Sequence, residues 1–275
     1  MEALAYAKLN LTLDVLYKRP DGYHELDMLN IRVSLADTVA LLPAPDIAVA
    51  YDNMPVPESD TVTKAIASYS CLAGCTLGAH VKIRKRIPAE AGLGGGSADA
   101  AAVLQLLQHA YGALSDEQLQ EAALRVGADV PYCLFEQPCR VGGVGEKILP
   151  LPQPAQPLWF LLLKPALGIS TPMLFSCLQF PVAHPDTAAA VDALRYGDTP
   201  RLGTALQNAL QPAAVSIHPE IGVLQRRLLR AGALGAAMSG SGSALFGLFF
   251  DESAARAAII EFQDVPFRSV CRSIP

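Results

Sequence analysis

The run Pro88-Ala89-Glu90-Ala91-Gly92-Leu93-Gly94-Gly95-Gly96-Ser97-Ala98-Asp99 sets four glycines within five positions, directly ahead of an Ala-rich stretch of helical character. Glycine lets a backbone approach a ligand and turn its amides inward, and a helix N-terminus adds partial positive charge, so this assembly suits a phosphate. It is not a Walker A loop, because no Lys-Ser/Thr pair follows, and the full G-x-G-x-x-G spacing of a dinucleotide fold is missing. A tight strand-to-helix turn is the plainer account. Ser97 serves either as the N-cap of the helix or as a hydroxyl near a nucleotide's metal. A second loop, Ser239-Gly240-Ser241-Gly242-Ser243, either closes over phosphates with amides and hydroxyls or links two strands.

Three further groups have chemical potential. Lys8, Asn10, Thr12 and Asp14 alternate with apolar Ala7, Leu9, Leu11 and Leu13, so they share one face of a strand. Periodicity alone favours an exposed sheet face, and Lys8 and Asn10 gain interest only where that face lines a cleft. Asp129, in Gly127-Ala128-Asp129-Val130-Pro131, stands where one helix ends and a proline opens another; N-capping is the ordinary role, and accepting a proton from a substrate hydroxyl is the chemical one. Gly22-Tyr23-His24 falls in a turn, where the two rings either face solvent or stack on and hydrogen-bond a base.

The elements that must carry these residues are strands at about 7–13, 27–33, 39–42 and 47–50, a helix at 61–71, a strand at 81–87 and a helix at 97–111. Lys82, Arg84 and Arg86 share one face of the 81–87 strand and read as solvated. Ser115 and Gln118 form a capping box for a helix ending at Gly127, and short strands follow near 139–141 and 147–149. The Pro-rich segment 149–157 marks a domain junction, giving domains 1–152 and 153–275. Beyond it come a strand at 158–164, helices from Thr171, Thr187 and Thr199, a helix at 219–231, strand, loop and strand, a helix at 252–262 and a last strand at 267–271. Strands and helices mix without regular alternation, which predicts an α+β class in both halves.

Composition removes several classes of function. At 275 residues and 51% hydrophobic content the chain has ample core, while 17% charged residues and a net charge of -5 offer no broad basic field for nucleic acid or anionic lipid. The apolar stretch 231–250 has the length of a membrane span, but eight of its twenty residues are Gly or Ser. Met1-Glu2-Ala3-Leu4 lacks the features of a signal peptide, so a cytoplasmic location is expected. Six cysteines without a CxxC pair are expected as reduced, mostly buried thiols.

Taken together and in order, these motifs resemble the GHMP kinases. Ala91-Gly92-Leu93-Gly94-Gly95-Gly96-Ser97 is similar to their ATP loop and Met238-Ser239-Gly240-Ser241-Gly242-Ser243 to their late glycine-rich motif. Lys8-Leu9-Asn10-Leu11, Arg19-Pro20-Asp21-Gly22-Tyr23-His24-Glu25-Leu26, Gly127-Ala128-Asp129-Val130-Pro131 and Gly143-Val144-Gly145-Glu146 resemble the members that act on 4-diphosphocytidyl-2-C-methyl-D-erythritol. The resemblance spans the whole chain and implies a two-domain fold, with a ribosomal-protein-S5-like N-terminal half, a ferredoxin-like C-terminal half and the substrates in the cleft between them. It implies ATP and Mg2+ held as the nucleotide complex, with Pro88 to Ala98 around the nucleotide. It further implies Asp129 as catalytic base with Lys8 orienting it. Tyr23 and Phe175 would sandwich the cytosine and His24 would read its edge, while Asn10, Thr171, Gly240 and Ser241 would make further substrate contacts. A small-molecule acceptor, no nucleic acid or membrane partner, and a monomer or weak homodimer follow from the same likeness. The chain departs from many relatives at Asp60 and Asp99, where Asn is often found.

Overall fold

A computed structural model describes residues 1–52, 54–178 and 182–274. In chain order the first part forms β1 (Glu2–Lys18), β2 (His24–Ala44), β3 (Ile47–Tyr51), α1 (Thr61–Ala73), β4 (Gly78–Arg84), α2 (Gly95–Tyr111), α3 (Asp116–Val126), α4 (Val130–Cys133), β5 (Cys139–Gly143) and β6 (Lys147–Pro150). The remainder forms β7 (Trp159–Lys164), α5 (Thr171–Ser176), α6 (Thr187–Tyr196), α7 (Thr199–Ala205), β8 (Gln207–Asn208), α8 (Gln211–Ile217), α9 (Pro219–Arg230), β9 (Gly235–Met238), β10 (Leu245–Phe249), α10 (Glu252–Ala258) and β11 (Phe267–Arg272). The α+β class expected from the sequence is the one observed.

Two compact units divide these elements: Met1–Ala7, Leu35–Ile87 and Gly94–Glu136 make the first, and Lys8–Ser34, Pro88–Leu93 and Gln137–Pro275 the second. In the first, the later part of β2 pairs antiparallel with β4, from Thr38 opposite Arg84 to Ala44 opposite Gly78, and β3 joins β4 in parallel. Helices α1 and α2 bury Val62, Ala65, Ile66 and Tyr69 on one side and Val103, Leu104 and Leu107 on the other. The alanines at 98 and 100–102 let the helix backbones come close. Ser115 caps α3 with the full capping box expected, its side chain bonded to the Gln118 amide and the Gln118 side chain to its own.

In the second unit the early part of β2 pairs antiparallel with β5, from Leu26 opposite Gly143 to Asn30 opposite Cys139, and β5 with β6. A separate antiparallel sheet runs in the order β11-β7-β10-β9. Its inner strands, Phe160–Leu163 and Leu245–Phe249, are buried, which is why they read as unbroken apolar runs. Helices α9 and α10 pack on this sheet. The 231–250 stretch is β9, a loop and β10, and among the described residues no helix is long and apolar enough to cross a membrane.

Several expectations need correction. The strands at 27–33 and 39–42 are one strand, because the intervening Asp37 is not a loop residue but fully buried, its carboxylate accepting from the Arg86 and Ile87 amides and from Lys85. Helix α8, opened by Gln211-Pro212, was not anticipated; Pro at the first turn costs no hydrogen bond there. The helix from Glu252 ends at Ala258 and continues as a 3-10 turn, whose Phe262 ring lies 4.8 Å under the Arg227 guanidinium. Cysteines 71, 75 and 177 are exposed, so burial holds only for Cys133, Cys139 and Cys271; all six are free thiols.

Candidate active site

The polar face of β1 is not a solvated sheet face. Lys8, Asn10, Thr12 and Asp14 are all nearly or fully buried, and within the second unit each meets a polar partner from elsewhere in the chain or from its own strand. Lys8 Nζ donates to Asn10 Oδ1 at 2.7 Å, Asn10 Nδ2 donates to Asn30 Oδ1 at 2.7 Å, Thr12 Oγ1 lies 3.0 Å from Thr187 Oγ1, and Asp14 Oδ1 lies 2.9 Å from His184 Nδ1. Burial of polar groups is tolerated only when they are satisfied in this way, so the face is a built polar surface.

The two glycine loops interlock. The carbonyls of Glu90, Ala91, Gly92 and Leu93 accept in turn from the Ser243 amide, the Ala244 amide, the Ser239 hydroxyl and the Lys8 amide. In a planar trans peptide the C=O and the following N–H point in opposite directions, so four consecutive carbonyls drawn inward leave the amides of residues 91–94 facing the other way. That is the orientation an anion requires. Gly92, at φ +69°, admits no side chain: a Cβ there would sit 2.0 Å from the Ser239 carbonyl oxygen. Asn208 holds the later loop from beneath, its amide donating at 2.8 Å to the carbonyls of both Met238 and Gly240, and Gln211 Oε1 takes the Met238 amide. Thr171 Oγ1 lies 2.6 Å from Ser241 Oγ, joining the start of α5 to the same loop.

The rings expected around a base fall in the second unit as well. His24 stacks on Phe175, with centroids 4.9 Å apart and planes inclined by 30°, while Tyr23 is 66% exposed. Burial, helped by the charge of Lys18, lowers the His24 pKa, so the imidazole is neutral near pH 7 and has one donor and one acceptor nitrogen. Arg19 and Lys147 both bond the Glu25 carboxylate next to His24, and Glu146 Oε2 accepts from the Val144 amide in the β5–β6 turn.

The first unit holds Asp129 and the start of α2. Asp129 precedes α4 but makes no cap hydrogen bond to it, so the capping role expected for it on sequence grounds is not the one it performs. Helix α2 is preceded by Gly94 at φ +68° and has no side-chain cap; Ser97 sits within the first turn, so of the two roles open to it on sequence grounds the N-cap is not the one it takes. Two features went unrecognised in the sequence. Lys85, on the opposite face from the Lys82, Arg84 and Arg86 read as solvated, lies between the carboxylates of Asp37 and Asp99, 2.6 Å from Asp99 Oδ2, while Lys82 and Arg84 do face solvent and pair with Asp52. The parity of Val81, Ile83 and Ile87 was the available signal, because Lys85 shares their inward register. The other is the role of Asp60, which N-caps α1 and accepts from Tyr51, Val62 and Thr63. Burial raises the Asp99 carboxyl to about 7 against the pull of Lys85, whereas the hydrogen bonds to Asp60 outweigh its burial and lower it.

Comparison with known proteins bears on this arrangement directly. Residues 60–137 match the GHMP kinases N terminal domain and residues 189–265 the GHMP kinases C terminal domain. The chain is 41% identical over 261 residues to 4-diphosphocytidyl-2-C-methyl-D-erythritol kinase of Symbiobacterium thermophilum, covering 92% of each, and 42% identical over 254 residues to that of Carboxydothermus hydrogenoformans, covering 90% of this chain and 88% of the other. A crystal structure of 4-(cytidine 5'-diphospho)-2C-methyl-D-erythritol kinase superposes over 100% of both chains with a TM-score of 0.86 at 34% identity. Homoserine kinase from Cytophaga hutchinsonii, at 22% identity and a TM-score of 0.77, shares the fold. With both domain families present and this identity sustained along the sequence, the chain belongs to the GHMP kinases, in the group of the 4-diphosphocytidyl-2-C-methyl-D-erythritol kinases.

Proposed function

We propose that this protein transfers a phosphoryl group from ATP to the 2-hydroxyl of 4-diphosphocytidyl-2-C-methyl-D-erythritol, in the non-mevalonate route to isoprenoid precursors. The observation that carries the reading is the stacked His24–Phe175 pair in the same compact unit as the β1 polar face and the interlocked glycine loops. Flat rings suit an acceptor that carries a base, which mevalonate and homoserine lack.

Phosphoryl transfer demands positioning and charge stabilisation more than covalent chemistry. The amides of residues 91–94 and the uncapped start of α2 supply donors for the nucleotide phosphates, and Pro88 to Ala98 form the nucleotide loop. Mg2+ enters on the nucleotide phosphates, the mode usual for an ion that keeps much of its hydration shell. Asp129 takes the proton of the acceptor hydroxyl, a role worth about 100- to 10,000-fold in rate, and Lys8 balances the charge that develops. Tyr23, His24 and Phe175 hold the cytosine; Asn10, Thr171, Gly240 and Ser241 hold the rest of the acceptor. The domain boundary at 152/153 falls between the two family segments. A cytoplasmic monomer or weak dimer without nucleic acid or membrane partners completes the proposal.

ADP release from purified protein with Mg-ATP tests it. Release with the diphosphocytidyl acceptor and not with mevalonate or homoserine is expected; release with either control moves the assignment within the GHMP kinases, and nucleotide binding without turnover on any acceptor overturns it.

A further inference from the structure

The start of α2 poses a mechanical question. Gly94 supplies no side-chain cap, the first intrahelical bond runs from the Ala98 amide to the Gly94 carbonyl, and two of the first four residues are glycine. Such a turn is entropically costly to hold still. Two side-chain ties steady it. Thr61 Oγ1 donates to the Gly96 carbonyl at 2.8 Å, and Asp99, one turn in, binds Lys85, which also binds Asp37 on β2.

The three buried carboxylates of this unit are not equivalent. Asp60 accepts from the Tyr51 and Thr63 hydroxyls and from two amides, and Asp37 from two amides and Lys85. Asp99 is 1% exposed, receives Lys85 on one oxygen, and has no hydrogen-bond partner for the other among the described residues. A carboxylate kept in the interior with half its capacity unused is a burden on stability. Lys85 also packs directly beneath the loop: a Cβ on Gly95 would stand 3.3 Å from its Nζ.

We infer that Asp99 is a positioning residue of the nucleotide loop, tying the first turn of α2 through Lys85 to Asp37 and so fixing Gly94, Gly95, Gly96 and Ser97. The inference rests on the reading of this loop as the nucleotide site. The tie needs an acceptor at position 99 that reaches Lys85, which an amide oxygen also provides. Asp99→Ala therefore raises the Kd and KM for ATP by about tenfold, the loss of one hydrogen bond to a charged group, with kcat and the KM for the diphosphocytidyl acceptor within about twofold of the parent. Asp99→Asn restores the nucleotide affinity to within about threefold. Asp99→Ser, too short to reach Lys85, repeats the measurement should the alanine variant fail to fold.

Hydrogen exchange with and without ATP separates the two layers. Protection of amides 92–97 by ATP in the parent, with faster exchange there in Asp99→Ala, is the expected result. Protection of these amides with nucleotide affinity unchanged in both Asp99→Ala and Asp99→Ser overturns the inference and leaves the site reading intact. Protection confined to another segment overturns both.

Discussion

Two ion-pair networks, each beside an element proposed to bind substrate, are built on opposite terms. Around the β1–β2 turn, the half-buried Glu25 carboxylate is held from the solvent side by Arg19 and by Lys147, whose side chain is 63% accessible, and Arg19 also meets the exposed Asp21, next to the rings of Tyr23 and His24. Around the start of α2, Asp37, Lys85 and Asp99 join side chains that water barely reaches. Exposed pairs trade one set of solvated partners for another and contribute little, while a buried charge that loses its partner is left with its full desolvation cost. The network beside the proposed acceptor rings is therefore the more tolerant of substitution, and the one beside the proposed nucleotide loop the less.

The strongest challenge to this contrast separates chemistry from support. Asp129→Asn lowers turnover by about 100- to 10,000-fold with ATP affinity unchanged, and unaltered turnover would remove Asp129 as the base. Next in size, Lys85→Met leaves Asp37 and Asp99 facing each other without a cation and lowers stability by about 3–5 kcal/mol in urea unfolding. The two networks also respond to pH with opposite sign. The Asp99 carboxyl, raised to about 7, favours the folded state most at low pH, and its contribution is lost as pH rises from the unfolded value through 7. Glu25, held low chiefly by its bond to Lys147, contributes above the unfolded carboxylate range and loses that contribution as pH falls. Unfolding midpoints of Asp99→Asn should consequently decline less than those of the parent between pH 5 and about 8. Smallest of all, Lys147→Met shifts the unfolding midpoint measurably only at low salt, and a shift that survives high salt would erase the distinction between the networks.

What could be read in the sequence follows the range of the interactions. The glycine loop, the capping box of α3 and the apolar run of β7 are local patterns, and each appears where it was expected. The face of Lys8, Asn10, Thr12 and Asp14 was legible as a face, but its burial was not, because Thr187, His184 and Ser239 reach it from 175, 170 and 229 residues away. The continuity of the strands expected at 27–33 and 39–42 was missed for the same reason: the donors to the intervening Asp37 lie 48 to 50 residues on, at Lys85, Arg86 and Ile87. Lys85 was hidden by its neighbours, since a basic run reads as solvent-facing unless the alternation of the strand is followed to its end.

The pinned carbonyls of residues 90–92 carry a consequence for how the protein comes into being. Their donors are Ser243, Ala244 and Ser239, made by the ribosome about 150 residues later. A nascent chain halted before β9 contains every residue of the first glycine loop and yet lacks what aims its amides, so the cradle proposed for the nucleotide is unfinished during most of synthesis. On that proposal the capacity to bind nucleotide is acquired late, once Ser239, Ser243 and Ala244 have reached the loop.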